Sequence, residues 1–455
     1  MAELSMPPGG LTGLRGHVEM PGSKSISNRL LLINHLAGNP LSSIHGLSTA
    51  GDTLRMQSVL KGLVDKGSGG EVMIGDAGTV MRFVLPLLCI TPGIHRMTGT
   101  ERSHERPIGP LVDALRLLGA QIQYLGQEGC LPLHIEGGAP LKMPTGLDSL
   151  PINAGISSQF VSALLLLAPC IVGGLRLRLS THIVSRPYLQ LTFDLMQRWG
   201  ARVYVISEQD IRIPQAEYQP PASVEVEPDW SSAAYWLAWT ALMPQSELFI
   251  PRLKLFSLQA DAVCVDAFAG LGVQTVEGEG GLILRNRPMD ALLGANASKS
   301  LGRKAISINK KQDGDSAEMP ASIVDFNGVD APDLMPTALV LCALKNQSAM
   351  FTGLETLRVK ESDRLEGVLQ NLRAAGACIE EREEGLYWLM RGIPKASDQN
   401  RVIDVITRGD HRMAMAFSLM ASQGYTVRPD RPEVVNKSYP GYWNELERLG
   451  MRWQP

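Results

Sequence analysis

Six segments of this chain repeat one pattern of apolar and polar positions. Each has apolar residues three and four apart, then a glycine; most go on to a short alternating run. The segments are Thr53 to Gly67 (Met56, Val59, Leu60, Leu63), Leu111 to Gly119 (Leu111, Leu115, Leu118) and Tyr188 to Gly200 (Leu191, Leu195, Trp199). They continue with Asp261 to Gly272 (Cys264, Ala267, Phe268, Leu271), Asp363 to Gly376 (Leu365, Val368, Leu369, Leu372) and Tyr442 to Gly450 (Tyr442, Leu446, Leu449). The spacing predicts helices that bury one stripe. The glycine suits a left-handed C-cap, and alternation, as in Gln121 to Leu125 and Ala201 to Ile206, predicts a strand. Repeats roughly 60 to 100 residues apart are too long and irregular for a solenoid. They predict an α/β protein with six copies of a subdomain, three per domain, the first copy fitting least well.

Length agrees with two domains, since 455 residues exceed one ordinary hydrophobic core. A boundary is expected between Tyr218 and Pro228, at Gln219-Pro220-Pro221-Ala222-Ser223. The polar stretch Arg285 to Ala321 reads as a long surface insertion, partly disordered. With 44% hydrophobic and 20% charged residues and a net charge of −3, the chain has no overall polyanion-binding character, so basic clusters must be local. Nucleic acid and membrane are therefore not expected partners. The cysteines Cys89, Cys130, Cys170, Cys264, Cys342 and Cys378 form no C-x-x-C pair and are expected to be reduced and buried. Phe160 to Val172 is too short to span a bilayer. No targeting pattern is visible at the start of the chain, which points to the cytoplasm.

The chemistry lies in short polar strings beside glycine or proline. Pro21-Gly22-Ser23-Lys24-Ser25-Ile26-Ser27-Asn28-Arg29 opens a helix, where free N–H groups, hydroxyls and a lysine favour an anion. It lacks the glycine spacing of a Walker A loop. Gly75-Asp76-Ala77-Gly78-Thr79-Val80-Met81-Arg82 would let a ligand approach the backbone. Glu105-Arg106-Pro107-Ile108-Gly109 offers an arginine fork for carboxylate or phosphate. Arg358-Val359-Lys360-Glu361-Ser362-Asp363-Arg364 and Gly409-Asp410-His411-Arg412 place charge ahead of apolar helices. Ser157-Ser158-Gln159 and Ser185-Arg186-Pro187-Tyr188 cluster hydroxyls. Each string also has a plainer reading as a helix cap or a solvated charge run. His411 has no partner at metal-ligand spacing, and no G-x-S-x-G elbow exists, so neither a metal site nor a serine hydrolase is expected.

Taken together and in order, PGSKSISNR, DAGTVMR, ERPIG, SSQF, SRPY, EPDWSSAAY, APDLMPTAL, RVKESDRL, GDHRMAM and NKSYP resemble the 5-enolpyruvylshikimate-3-phosphate synthase family of enolpyruvyl transferases, from Pro21 to Pro440. The resemblance implies two domains, each of three βαβαββ-like units, with an active-site cleft between them. It implies boundaries of 21–227 for one domain, and of 1–20 with 228–455 for the other. It also implies transfer of the enolpyruvyl group of phosphoenolpyruvate to shikimate 3-phosphate through a tetrahedral intermediate, by a monomer without cofactor or metal. By the same resemblance Lys24, Gly78, Arg106, Gln159, Arg364, Arg412 and Lys437 meet phosphoenolpyruvate. Lys24, Ser25, Arg29, Ser157, Ser158, Gln159, Ser185, Asp333 and Lys360 meet shikimate 3-phosphate. Lys24, Asp333 and Glu361 carry catalysis: Glu361 protonates the methylene carbon, Asp333 is the candidate base for the attacking hydroxyl, and Lys24 assists proton transfer and phosphate departure.

The chain departs from the family pattern at Asp76, Phe83, Thr356 and Arg186, and in the long Arg285 to Ala321 stretch. Asp76 matters most, because a carboxylate beside a phosphoenolpyruvate site repels an anion unless paired or protonated. Two rival readings stay open: a related enolpyruvyl transferase acting on a UDP-sugar, and a non-catalytic anion-binding paralogue. The PGSKS and RVKESDR strings count against the first. Retention of Lys24, Asp333 and Glu361 together counts against the second.

Overall fold

Two kinds of helix alternate along the chain in the computed structural model, which describes residues 2–39, 43–66, 69–155, 157–181, 184–287, 306–309, 323–396 and 401–455. The first kind is buried on nearly every side. Its members are Lys24–Leu36, Gly78–Ile90, Ser158–Leu167, Trp230–Leu242, Met335–Leu344 and His411–Ser418. The second kind is amphipathic: Gly51–Lys66, Gly109–Leu117, Arg186–Arg198, Cys264–Ala269, Arg364–Ala374 and Tyr442–Arg448. These are the predicted helices. Their apolar stripes are buried throughout, except that Leu63 is only partly covered. Five of the glycines that follow them have φ between +82° and +102°, the left-handed region a side chain resists. The sixth, Gly67, lies outside the described residues.

A shared strand order threads the helix pairs. Gly70–Met73 runs parallel to Gly93–Thr98, which pairs antiparallel with Leu133–Gly137, itself paired with Gln121–Tyr124. The buried helix Gly78–Ile90 makes the parallel crossover that such a pair requires. The amphipathic helix Gly109–Leu117 then leads into the hairpin. The same order recurs in the sheets begun by Leu150–Ile152, Arg15–His17, Ile323–Asn327 and Val402–Val405. In the last of these, Glu3–Ser5 from the start of the chain fills the inner hairpin position. The remaining copy keeps only the parallel pair Val224–Glu225 with Ile44–His45.

The chain divides into two compact units, Gly22–Glu227 and Met1–Pro21 with Pro228–Pro455. Part of the stretch expected to be an insertion is sheet instead. Gly281–Asn286 covers its start, and Ile306–Asn309 pairs antiparallel with Ile323–Asn327. The alternation of Ile306, Ser307, Ile308 and Asn309 is too short a signal to stand out from polar surroundings. Residues 288–305 and 310–322 lie outside those described. The six cysteines are free thiols, four of them buried and Cys170 and Cys378 partly so. Among the described residues no helix is long and apolar enough to cross a membrane.

Candidate functional site

Six of the polar strings lie at the N-terminal ends of the buried helices, and ERPIG, SRPY, RVKESDRL and NKSYP lie at those of amphipathic ones. Those ends present N–H groups with no partner in the helix, and the helix dipole favours negative charge there. A helix that is apolar on all sides still has a polar end, and this fold turns six such ends to use.

In the unit Gly22–Glu227, Ser23 caps Lys24–Leu36 and leaves Lys24 and Ser25 half-buried in the first turn. Lys24 Nζ lies 3.1 Å from Asp52, which opens the next helix. Gly78 begins its own helix under the guanidinium of Arg106; a Cβ there would come within 2.5–2.7 Å of three guanidinium atoms. Arg106 donates to the Asp76 carbonyl at 3.0 Å. Ser157 caps Ser158–Leu167 by accepting from the Gln159 N–H. The Gln159 side chain accepts from Arg82 at 2.7 Å and donates to Thr79 at 3.2 Å. Arg82 also donates to the Pro107 carbonyl. This arginine therefore ties DAGTVMR, ERPIG and SSQF together. Ser185 precedes Arg186–Arg198 in a left-handed conformation, φ +57°, which a serine adopts only under constraint.

Arg29 differs from the other predicted cations of this unit. All three of its guanidinium nitrogens are used internally, on Thr192, the Ser25 carbonyl, Ser162 and the Tyr188 carbonyl. Its plane lies over the Phe83 ring, 5.3 Å from the centroid. Burial pulls its pKa down to about 10. Arg29 thus holds the Ser25 carbonyl, and Phe83, one of the departures, lies against its guanidinium.

In the unit containing Pro228–Pro455, charges of both signs interlock. Arg364 is 1% exposed and contacts Asp333 at 2.8 Å, Glu361 at 2.6 Å and Asp410 at 2.8 Å. Lys360 lies 3.5 Å from Asp333, and Lys437 lies 4.0 Å from Glu361. Arg412 donates to the Asp333 carboxylate at 2.9 Å, to its carbonyl at 3.2 Å and to Ser231 Oγ at 3.3 Å. It thereby links the starts of all three buried helices of this unit. Asp410 caps the helix His411–Ser418 and accepts from Ser362 as well as Arg364. Thr356, another departure, lies in the single turn Glu355–Val359. Arg186 makes an exposed pair with Glu208.

This interlocking sets the proton affinities. Burial pushes the Asp333 carboxyl up, but Arg412, Lys360 and Arg364 outweigh it and hold the group well below the usual carboxylate range. Burial lowers the Lys360 ammonium. Burial also lowers Arg364, and its carboxylate partners more than restore it. Asp261, buried beside Ser231, is raised by burial to about 6. Among the described residues no group of histidine, cysteine and carboxylate side chains has metal-binding geometry. A pocket lined by Arg55, Gly62, Glu71 and His95 contains none of the predicted site residues.

Sequence reasoning named Lys24, Gly78, Arg106, Gln159, Asp333, Lys360, Glu361, Arg364, Arg412 and Lys437, and each has a place in one of these two networks. It passed over Asp52, Thr79, Arg82, Ser231, Asp261 and Asp410 as site residues. Thr79, Arg82, Ser231 and Asp410 stood inside quoted strings, but only their contacts reveal what they hold.

Comparison with known proteins identifies the family. The model of the family EPSP synthase (3-phosphoshikimate 1-carboxyvinyltransferase) matches residues 9–446. A 3-phosphoshikimate 1-carboxyvinyltransferase of Bacteroides fragilis is 39% identical over 96% of each chain. One from Cellvibrio japonicus is 33% identical over 96% of this chain and 97% of that one. The fold matches that of EPSP synthase from Acinetobacter baumannii with a TM-score of 0.69 over 100% of both chains, at 20% identity. From the matched strings, the strand order and these relatives, the chain belongs to the EPSP synthase family.

Proposed function

We propose that this chain transfers the enolpyruvyl group of phosphoenolpyruvate to the 5-hydroxyl of shikimate 3-phosphate and releases phosphate, a step of the shikimate pathway towards chorismate and the aromatic amino acids. The observation that carries the reading is the Glu361–Arg364–Asp333–Arg412 cluster, in which two carboxylates able to move protons share cations able to bind an anion. In the addition step the 5-oxygen bonds to C2 of phosphoenolpyruvate, its proton leaves to a base, and the methylene carbon gains a proton. In the elimination step that carbon loses a proton and the bond from C2 to the phosphate oxygen breaks.

Glu361 delivers and retrieves the carbon proton, and Asp333 takes the hydroxyl proton. Clamped by three cations, Asp333 is a weak base in the ligand-free molecule. Two anionic substrates draw on the same cations, and its basicity rises as they bind. Lys24, Arg106, Gln159, Arg364, Arg412 and Lys437 hold phosphoenolpyruvate, with Gly78 leaving room for the Arg106 fork. Lys24, Ser25, Arg29, Ser157, Ser158, Gln159, Ser185, Asp333 and Lys360 hold shikimate 3-phosphate, and Arg29 also fixes the Ser25 carbonyl. Lys24 also steadies the departing phosphate. The protein works as a cytoplasmic monomer, which light scattering checks. Phosphate release from phosphoenolpyruvate tests the reaction. Shikimate 3-phosphate supports it in this reading, whereas turnover with a UDP-sugar alone, or none with either acceptor, defeats it.

A further inference from the structure

We propose that Asp261 is a positioning residue for this reaction, acting through Ser231 to hold the Arg412 guanidinium against Asp333. The inference rests on the functional reading above, since it concerns the same cations.

The chain of contacts is short. Asp261 lies in the turn Ala260–Val263, 2% exposed. Its Oδ2 accepts a short hydrogen bond from the Ser231 hydroxyl. Ser231 Oγ in turn accepts from Arg412 Nη2 at 3.3 Å, and the same Nη2 donates to Asp333 Oδ2 at 2.9 Å. Asp261 makes no salt bridge among the described residues, and its Oδ1 has no hydrogen-bond partner there. A carboxylate buried in this way is costly. A purely structural partner for Ser231 would be served as well by an amide.

An ionised carboxylate can only accept, so it fixes the direction of the serine hydrogen, whereas an amide can present either its oxygen or its N–H. A hydroxyl has one hydrogen. With Asp261 ionised, that hydrogen points at Asp261, and the serine lone pairs face Arg412. With Asp261 protonated, the group can donate as well as accept, and the serine hydrogen is no longer held away from the Arg412 N–H. The charged and titratable groups facing Asp261 are Arg412, Asp333 and Asp229, with Cys264 next along the chain. Arg412 favours ionisation, while Asp333 and Asp229 oppose it. With burial dominating, the Asp261 carboxyl is pushed up to about 6.

Asp261→Asn tests this, because asparagine keeps the shape but stays neutral at every pH. The readout is the ratio of variant to wild-type kcat/KM for phosphoenolpyruvate from pH 5 to pH 8. Ionisation of the substrate is common to both enzymes and cancels in the ratio. The expected ratio is near one at pH 5, where Asp261 of the wild type is itself protonated, and falls about tenfold above pH 7. Ser231→Ala should lower kcat/KM for phosphoenolpyruvate to a similar extent at high pH, and the double variant should add little. A ratio that is flat with pH, or additive losses in the double variant, overturns the proposal. Cooperative thermal unfolding of each variant shows that the fold is kept. Ser231→Ala, which leaves the carboxylate in place, keeps the question open to test if Asp261→Asn does not fold. Absence of wild-type turnover would instead defeat the functional reading itself.

Discussion

The two units handle the cations of the candidate site in opposite ways. In Gly22–Glu227 the arginines of the site strings rest on neutral partners: Arg106 on a carbonyl, Arg82 on an amide and a carbonyl, and Arg29 on hydroxyls and carbonyls. Lys24, by contrast, has a carboxylate beside it, Asp52. In the other unit, Arg364 and Arg412 are packed among Asp333, Glu361 and Asp410. A cation held by neutral dipoles keeps its charge for a ligand. A cation held by carboxylates has already spent much of it, and an incoming anion competes with those carboxylates and changes their proton affinity. The first arrangement suits binding, and the second suits proton transfer that answers to binding.

The contrast can be broken most severely at Arg364. Arg364→Met leaves Asp410 buried without its cation, and a loss of about 3–5 kcal/mol is expected in chemical denaturation, together with loss of phosphate release. Glu361→Gln sharpens the contrast further. Both substrates should still bind by calorimetry, while turnover falls about 10²–10⁴-fold; near-normal turnover would remove Glu361 from the chemistry.

Asp261 supplies a stability test of the same unit. Its folded pKa of about 6 lies above the ordinary 3.8. The folded state therefore holds the proton more tightly, and stability is lost as pH rises from below 4 through 6. Asp261→Asn removes that loss, which is up to about 3 kcal/mol for a shift of this size. The variant's melting temperature should gain on the wild type between pH 5 and pH 8, and a constant difference would contradict the assignment. The smallest expected effect falls in the other unit. Gly78→Ala pushes a methyl group against the Arg106 guanidinium. The KM for phosphoenolpyruvate should rise about tenfold, a cost of roughly 1.4 kcal/mol, with kcat and shikimate 3-phosphate binding nearly unchanged. An equal rise for both substrates would mean that Arg106 serves both.

Much of this was readable along the chain, because the signals are local. A stripe such as Leu365, Val368, Leu369 and Leu372, closed by Gly376, specifies a one-sided helix and its stop within one segment. The buried helices were harder to place, since Trp230–Leu242 or Met335–Leu344 is apolar on all faces and carries no period. The strand Ile306–Asn309 was lost in a polar stretch, and the Glu3–Ser5 strand joins a sheet completed by residues at the far end of the chain.

The sequence by itself determined that cations and hydroxyls stand at helix starts, in an order that marks the family. Only the tertiary structure decided which charge meets which. Arg364 finds Asp410 across 46 positions, and Arg412 finds Ser231 across 181. Those meetings depend on helices from different repeats being packed with their N-terminal ends together. Their consequences for proton affinity depend on burial, which no local pattern encodes. The cation-rich strings were visible from the start, but that one unit holds its site arginines on neutral dipoles and the other on carboxylates was settled by packing alone.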